Sequence, residues 1–482
     1  MLFNTIQFAI FMILVVLAIE LFKKNKLQLV ILTIASYVFY YFDGGFLVVL
    51  LLFTASLDFF CGKKIYESKS AKKKKFFLFI SIIGSLGILA FFKYANFTIN
   101  IANHVADIFG IAPPLKLLNI LLPVGISFFT FQSMSYTIDI YRGDLKPASS
   151  FLKYMLFIAF FPQLVAGPIV RASDFLPQLN DKRILILGKN LKIGLTYISW
   201  GIVKKLIFAD NFAPFVNSIF ADPMGFSSFY IIIGALAFGI QIYCDFSAYT
   251  NIAIGCARIF GFTFLENFNK PYFARNPSDF WRRWHISLST WLKDYLYIPL
   301  GGSRKGKFRT YLNLMITMLL GGLWHGAAWN FVVWGGYQGG LLATHKFVTD
   351  RINFKNFFNK FINEKTRNIF SIIIAQYFVF LGWLIFRVRD SSHLLYSIKK
   401  FILVDFFSDV SGIISFCIQN KFIIFLILLF FYLHILSYKI KNIIERINSL
   451  NLWYWFLYII FVMLLLFIFT PNLNTAFIYF QF

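Results

Sequence analysis

Residues 319–340 read LLGGLWHGAAWNFVVWGGYQGG, and the fold turns on this stretch. Its histidine, His325, is flanked by Gly321, Gly322, Gly326, Ala327 and Ala328, with Gly335, Gly336, Gly339 and Gly340 beyond. Small residues let helix backbones approach closely inside a membrane bundle, so the segment reads as a packed interior and not as a lipid-facing surface. An ionisable group in such an interior is expensive, and its default reading is a functional site. The alternative is a core imidazole satisfied by a backbone carbonyl.

The composition around this stretch sets the solvent. Of 482 residues, 59% are hydrophobic and 14% charged, with mean hydropathy +0.70, which excludes a water-soluble globule with an ordinary polar surface. A spanning helix needs about 20 mostly apolar residues, and roughly ten or eleven such windows fit. The windows are continuous and lack the polar alternation of barrel strands, so an all-α polytopic membrane protein is expected. Spans are predicted over 1–22, 27–42, 46–61, 76–92, 117–136, 191–208, 229–257, 369–386, 422–438 and 452–470, with 311–324 and 331–343 short for complete crossings. Residues 94–116, ending in Pro113-Pro114, read as an outer loop. In FFPQLVAGPIVR, residues 160–171, Pro162, Gly167 and Pro168 interrupt any straight helix, and broken backbone at membrane depth survives only inside protein or beside a wet cavity. The whole chain, 1–482, reads as one integral-membrane unit, with a motif-bearing core over about 120–345 and scaffold helices over 1–116 and 369–470.

The net charge of +25 does not imply nucleic acid, because the basic residues lie in short clusters between apolar windows. Lys23, Lys24 and Lys26, then Lys63 to Lys75, Lys182 to Lys205, Arg282 to Arg309 and Lys346 to Arg367 read as cytoplasmic loop charges. The first cluster follows the first window, which predicts an N-terminus outside the cytoplasm of a multi-pass inner-membrane protein. That window has no small-residue cleavage site after it and reads as an anchor. Cys61, Cys244, Cys256 and Cys417 form no CxxC pair and read as buried small hydrophobes.

A second segment, NPSDFWRRWHISLSTWLKDYLYIPLGGSR over 276–304, places His285 among aromatics. Pro277-Ser278 is a helix start, and Pro299 with Gly301-Gly302 a stop. Read as one helix, it puts Phe280, Trp284, Trp291 and Tyr295 on one stripe and Trp281, His285, Leu288 and Leu292 on the next. Arg282, Arg283 and Lys293 fall on other faces, giving an amphipathic helix at the cytoplasmic interface, for which an interfacial anchor is the simpler reading.

A neutral imidazole in an apolar slot suits a general base that takes a proton from an alcohol. A thioester is electrophilic enough to need little else. HExxH is absent and the other histidines lack ligand spacing, so no metal is expected. No phosphate loop and no GxSxG elbow occur either.

At these segments the chain resembles the membrane-bound O-acyltransferase superfamily, in the bacterial branch of alginate O-acetylation proteins and peptidoglycan O-acetyltransferases. The matching pieces are FFPQLVAGPIVR at 160–171, QIYCDFSAYTNIAIGCARIFGF at 241–262, ENFNKPYFARNPSDFWRRWHISLSTWLKDYLYIPLGG at 266–302 and LGGLWHGAAWNFVVWG at 320–335. The resemblance implies a ring of about 11 transmembrane helices around a thin central partition pierced by a tunnel. It implies His325 as the catalytic histidine and His285 as the second histidine of the centre. Asp245, Trp281, Arg282, Asp294, Trp324 and Asn330 are expected to contact substrate. A family motif commonly read DFSGYSD is here Asp245-Phe246-Ser247-Ala248-Tyr249-Thr250-Asn251, so the second acidic group is missing and Asp245 is the better candidate.

The implied reaction is acetyl transfer from a cytoplasmic thioester, acetyl-CoA or an acyl carrier, across the membrane to an envelope polysaccharide, with no bound cofactor. An extracytoplasmic SGNH-type acetyltransferase is the implied partner, beside the lipid bilayer itself. The competing class is a transporter or flippase of an envelope precursor, for which broken helices and midplane polar groups are equally expected. Acylation of protein or lipid uses the same site and differs in acceptor.

Overall fold

The computed structural model describes residues 1–111, 115–179, 183–351, 363–405, 410–440, 442–471 and 476–478. Pro113-Pro114, Lys182 and the part of the last basic cluster over 352–362 lie outside them. The described residues form helices and no strand. Six helical stretches are long and apolar enough to cross a bilayer, Asn25–Glu67, Ala71–Ile108, Ser228–Ile259, Glu364–Arg387, Lys421–Lys439 and Leu452–Phe469. The chain packs into two compact units, Met1–Ile198 with Tyr249–Leu265, and Ser199–Ala248 with Glu266–Phe482.

In the first unit, Asn25–Gly44 and Val48–Glu67 are joined through Gly45, whose φ of 53° lies in the region that glycine enters without a Cβ penalty. The helices Val48–Glu67, Ala71–Leu89 and Ile126–Arg142 are tied near the middle of their length by polar atoms. Ser81 Oγ donates to Asp58 Oδ1 at 2.6 Å and Ser85 Oγ to Oδ2 at 3.2 Å, while Ser81 and Thr137 share a hydrogen bond of 2.8 Å. Hydroxyls on neighbouring helices thus solvate a carboxyl that lipid would leave bare.

Residues 94–116 are not a plain loop: Ala95–Ile108 is helical, and its Asn96 and Asn103 side chains, two turns apart, hydrogen-bond the backbone of Leu118 and Leu115 at 2.6–2.9 Å. The side chains that made the stretch look loop-like strap an extended segment to the helix. The helix expected over 117–136 accordingly runs from Ile126 to Arg142.

The break over 160–171 is where the sequence puts it. The helix Phe151–Ala159 stops and the following backbone is buried. Gln132 and Gln163 both donate their amides to the carbonyl of Phe157, at 2.6 and 2.7 Å, and Ser36 Oγ accepts from the N–H of Phe161 at 3.2 Å. Side chains replace part of the lost helix ladder.

In the second unit, Lys307–His325 and Trp329–Arg351 form a tight antiparallel pair. Both exceed the short apolar windows seen in the sequence because polar ends extend each helix. A Cβ on Gly322 would sit 2.2 Å from the carbonyl oxygen of Phe331, and one on Gly335 would sit 2.5 Å from that of Met318. The glycines are there because two backbones touch.

The N-terminus of the 32-residue helix Ser228–Ile259 is capped from a loop. Asp405 Oδ1 accepts from the N–H of Ser228 at 3.0 Å and Oδ2 from Lys400 Nζ at 2.5 Å. The Lys400 hydrogen bond, helped by Ser228, holds the Asp405 carboxyl below the usual carboxylate range. A carboxyl depressed in the folded state contributes stability that is complete above its unfolded pKa of about 3.9 and is lost as pH falls below it. Thermal unfolding in detergent is expected to show Asp405→Asn lowering the midpoint at pH 6 and flattening its dependence below pH ~4. An unchanged acid limb in the variant would remove Asp405 from the account.

Candidate functional site

His325 is the last residue of Lys307–His325, immediately before Gly326 in an extended conformation. A Cβ on Gly326 would overlap the Phe331 ring at 2.1 Å, so the chain turns here with no side chain in the way. The His325 ring is 5% exposed and boxed by aromatics, with centroids 5.0 Å from Trp324, 5.2 Å from Trp334 and 5.4 Å from Phe386.

His285 reaches the same place from a different element. Residues 277–299 do not make the single helix expected. Pro277–Trp281 is a single turn, capped by Asn276 accepting from the N–H of Asp279 at 2.8 Å, and Ile286–Leu292 is a separate helix of about two turns. Between them His285 takes φ 44° and ψ 54°, the left-handed region, which costs an L-residue roughly 1–2 kcal/mol. Uninterrupted helix would have been cheaper locally, so the surroundings hold the kink.

Asn267 supplies that hold. Its carbonyl accepts from the N–H of Ile286 at 2.9 Å, and its Oδ1 accepts from the N–H and the hydroxyl of Ser287 at 3.0 and 2.9 Å. The Asn269 N–H donates to the carbonyl of Arg283 at 2.9 Å, so residues 267–269 clasp both sides of the turn. Sequence reasoning missed Asn267, a loop asparagine with no periodicity to mark it. The kink buries His285 completely and sets its ring 4.7 Å from Phe246, 5.7 Å from Trp324 and 6.4 Å from His325, centroid to centroid.

The two histidines singled out by sequence are therefore neighbours in one aromatic enclosure. Trp324 touches both rings. Trp281 packs on Trp334 at 5.8 Å and donates its indole N–H to Gln338 Oε1 at 3.2 Å. Asn330 donates to the carbonyl of Phe386 at 2.8 Å, fixing a wall residue of the His325 box. Other predicted residues are placed differently. Arg282 is exposed, Asp294 pairs with Lys293 at 3.4 Å, and Asp245 belongs to a buried ion cluster with Lys205 at 2.8 Å. Cys61, Cys244 and Cys256 are buried free thiols, as expected, and Cys417 is half-buried. Among the described residues no group of three metal-ligating side chains occurs.

Such an enclosure suits proton transfer beside a reacting carbonyl. Residues 144–385 match the MBOAT, membrane-bound O-acyltransferase family. The chain is 41% identical over 369 residues to the probable alginate O-acetylase AlgI of Azotobacter vinelandii, covering 75% of this chain and 70% of that protein. It is 34% identical to the peptidoglycan O-acetyltransferase of Helicobacter pylori, covering 80% and 76%, and 29% identical to the teichoic acid D-alanyltransferase of Bacillus subtilis, covering 58% and 72%. This multi-pass membrane chain, with its paired buried imidazoles, belongs to the membrane-bound O-acyltransferase family and is an O-acyltransferase.

Proposed function

We propose that this protein moves an acetyl group from a cytoplasmic thioester donor across the inner membrane for O-acetylation of an envelope polysaccharide, an alginate-like exopolysaccharide or peptidoglycan. The approach of His285 and His325 to 6.4 Å inside one aromatic box carries the reading. Acetyl is favoured over D-alanyl because the relatives named for O-acetylation match more of the chain at higher identity.

In this reading the N-terminus lies outside, acetyl-CoA or an acyl carrier approaches from the cytoplasm, and the acceptor enters from the opposite face of a tunnel. His325 accepts the proton of the acceptor hydroxyl as its oxygen attacks the thioester carbonyl carbon. The C–S bond then breaks, and the departing thiolate takes the proton back from the imidazolium, so charge and atoms balance. The negative end of the helix that terminates at His325 favours the transient positive ring. His285 positions the donor or the tetrahedral intermediate, and Trp281, Trp324 and Asn330 shape the walls around it. An extracytoplasmic SGNH-type acetyltransferase completes transfer to polymer.

The test follows isotopically labelled acetyl from the cytoplasmic pool into envelope fractions of cells making the wild-type chain. Label is expected as ester on the polysaccharide. Label only on lipid or protein, or unmodified precursor crossing the membrane, would contradict the assignment.

A further inference from the structure

The second unit holds a buried ion cluster outside the aromatic box. Lys205 Nζ lies 2.8 Å from Asp210 Oδ1 and 2.8 Å from Asp245 Oδ1, with the three side chains 1%, 1% and 4% exposed. Positions five apart on an α-helix point away from each other, separated by about 140° around the axis. The π turn Lys204–Ala209 changes that register to i→i+5 and aligns Lys205 with Asp210.

The same ammonium donates to the carbonyl of Ala476 at 3.3 Å, and its centre lies 4.5 Å from the Phe477 ring. An ammonium has three donors, and Asp210, Asp245 and Ala476 account for three. Asp245 Oδ2 in turn accepts the N–H of Ile478 at 2.7 Å. Residues 476–478 are thereby strapped onto the helix Ser228–Ile259.

Two carboxylates against one ammonium is a costly arrangement in a dry interior, and removing one partner of such a cluster is worse than never having built it. Its location gives it a use. Phe246, next to Asp245, lays its ring against His285 at 4.7 Å, and Tyr243 meets Trp284 at 6.3 Å and Phe268 at 5.7 Å. One turn of helix meets the ion cluster through Asp245, the kinked histidine through Phe246 and the residue before it, Trp284, through Tyr243.

We propose that Lys205, Asp210, Asp245 and the backbone of residues 476–478 form a positioning element that locks Phe246 against His285. In this arrangement Asp245 acts through Phe246, with one oxygen held by Lys205 Nζ and the other by the N–H of Ile478. This rests on His285 being one of the reacting pair.

The experiment uses the full chain in membrane vesicles with an acetyl thioester. Ile478→Pro deletes one N–H donor and Asp245→Asn one acceptor, and each is expected to lower turnover about tenfold or more with KM for the thioester within about twofold. Ile478→Ala keeps the donor and is expected to lose far less. In a His285→Asn background the first two substitutions are expected to change turnover by about twofold at most, since the residue they serve is gone. Additive losses in that background, or a raised KM at unchanged turnover, would overturn the proposal and return Asp245 to substrate binding.

A readout without catalysis accompanies it. A Phe477→Cys thiol is expected to react with a maleimide faster when Asp245→Asn is also present, and equal rates would sink the strap. Absence of acyl transfer by the unsubstituted protein would remove the reaction the element serves while leaving that labelling difference in place, so the two failures are distinguishable.

Discussion

His325→Ala is expected to reduce thioester-dependent acyl transfer by 10²–10⁴-fold, the range over which positioned general bases contribute, with protein level and membrane insertion unchanged. The ring sits at a helix end, and the turn after it is made by Gly326 and the Phe331 ring, so the backbone does not depend on the imidazole. Truncation leaves a void among Trp324, Trp334 and Phe386 without exposing a charge. His325→Gln fills the void and still cannot take a proton at neutral pH, so it is expected to fail almost as badly. Initial rates of thiol release from the donor check both variants, and near-normal rates for either would remove His325 as the base.

The second large effect comes from packing two helical turns away. A Gly335 side chain would meet Met318 backbone oxygen at 2.5 Å and the Cα of Leu319 at 3.0 Å, atoms that cannot swing aside. Overpacking of this kind costs about 1–3 kcal/mol or more. Because Met318 lies on the helix that ends at His325, relief of the clash moves the imidazole. Displacing a reacting group by ~1 Å costs on the order of 10²-fold in rate, and Gly335→Val is expected to lose that much while still inserting. Gly340 is the control. A Cβ there meets nothing within 4 Å, and alanine is the better helix former by about 1 kcal/mol, so Gly340→Ala is expected to keep its activity and unfold no earlier. Activity and unfolding temperature measured on the pair separate the backbone contact from a general dislike of substitution.

Much of this site was legible in the sequence, for physical reasons that differ by residue. His325 stood out because an ionisable ring among glycines and alanines has no packing excuse, and the close pair Gly322 and Gly335 shows why those glycines are there. The break after Ala159 was legible because Pro162 and Pro168 cannot continue a helix. The kink at His285 was not, since the flanking residues carry an uninterrupted helical stripe and the stripe residues are indeed buried, although by two short helices, the turn between them and the π turn Lys293–Tyr297. What bends the chain is Asn267, distant by loop and invisible to periodicity. The Lys205–Asp210 pair escaped for a related reason, because a spacing of five means nothing on an α-helix and everything on a π turn. Residues 94–116 were misread because asparagines that strap backbone look, in one dimension, like loop residues.

On the proposed function the two imidazoles act on one reacting centre. The most direct test is the rate of thiol release from an acetyl thioester by four proteins, the wild type, His325→Ala, His285→Asn and the double variant, asparagine being chosen because it tolerates the left-handed backbone at 285. Groups that serve a single step are strongly non-additive, so the double variant is predicted to be no slower than His325→Ala alone. A double variant slowed by the product of the two separate factors would contradict it.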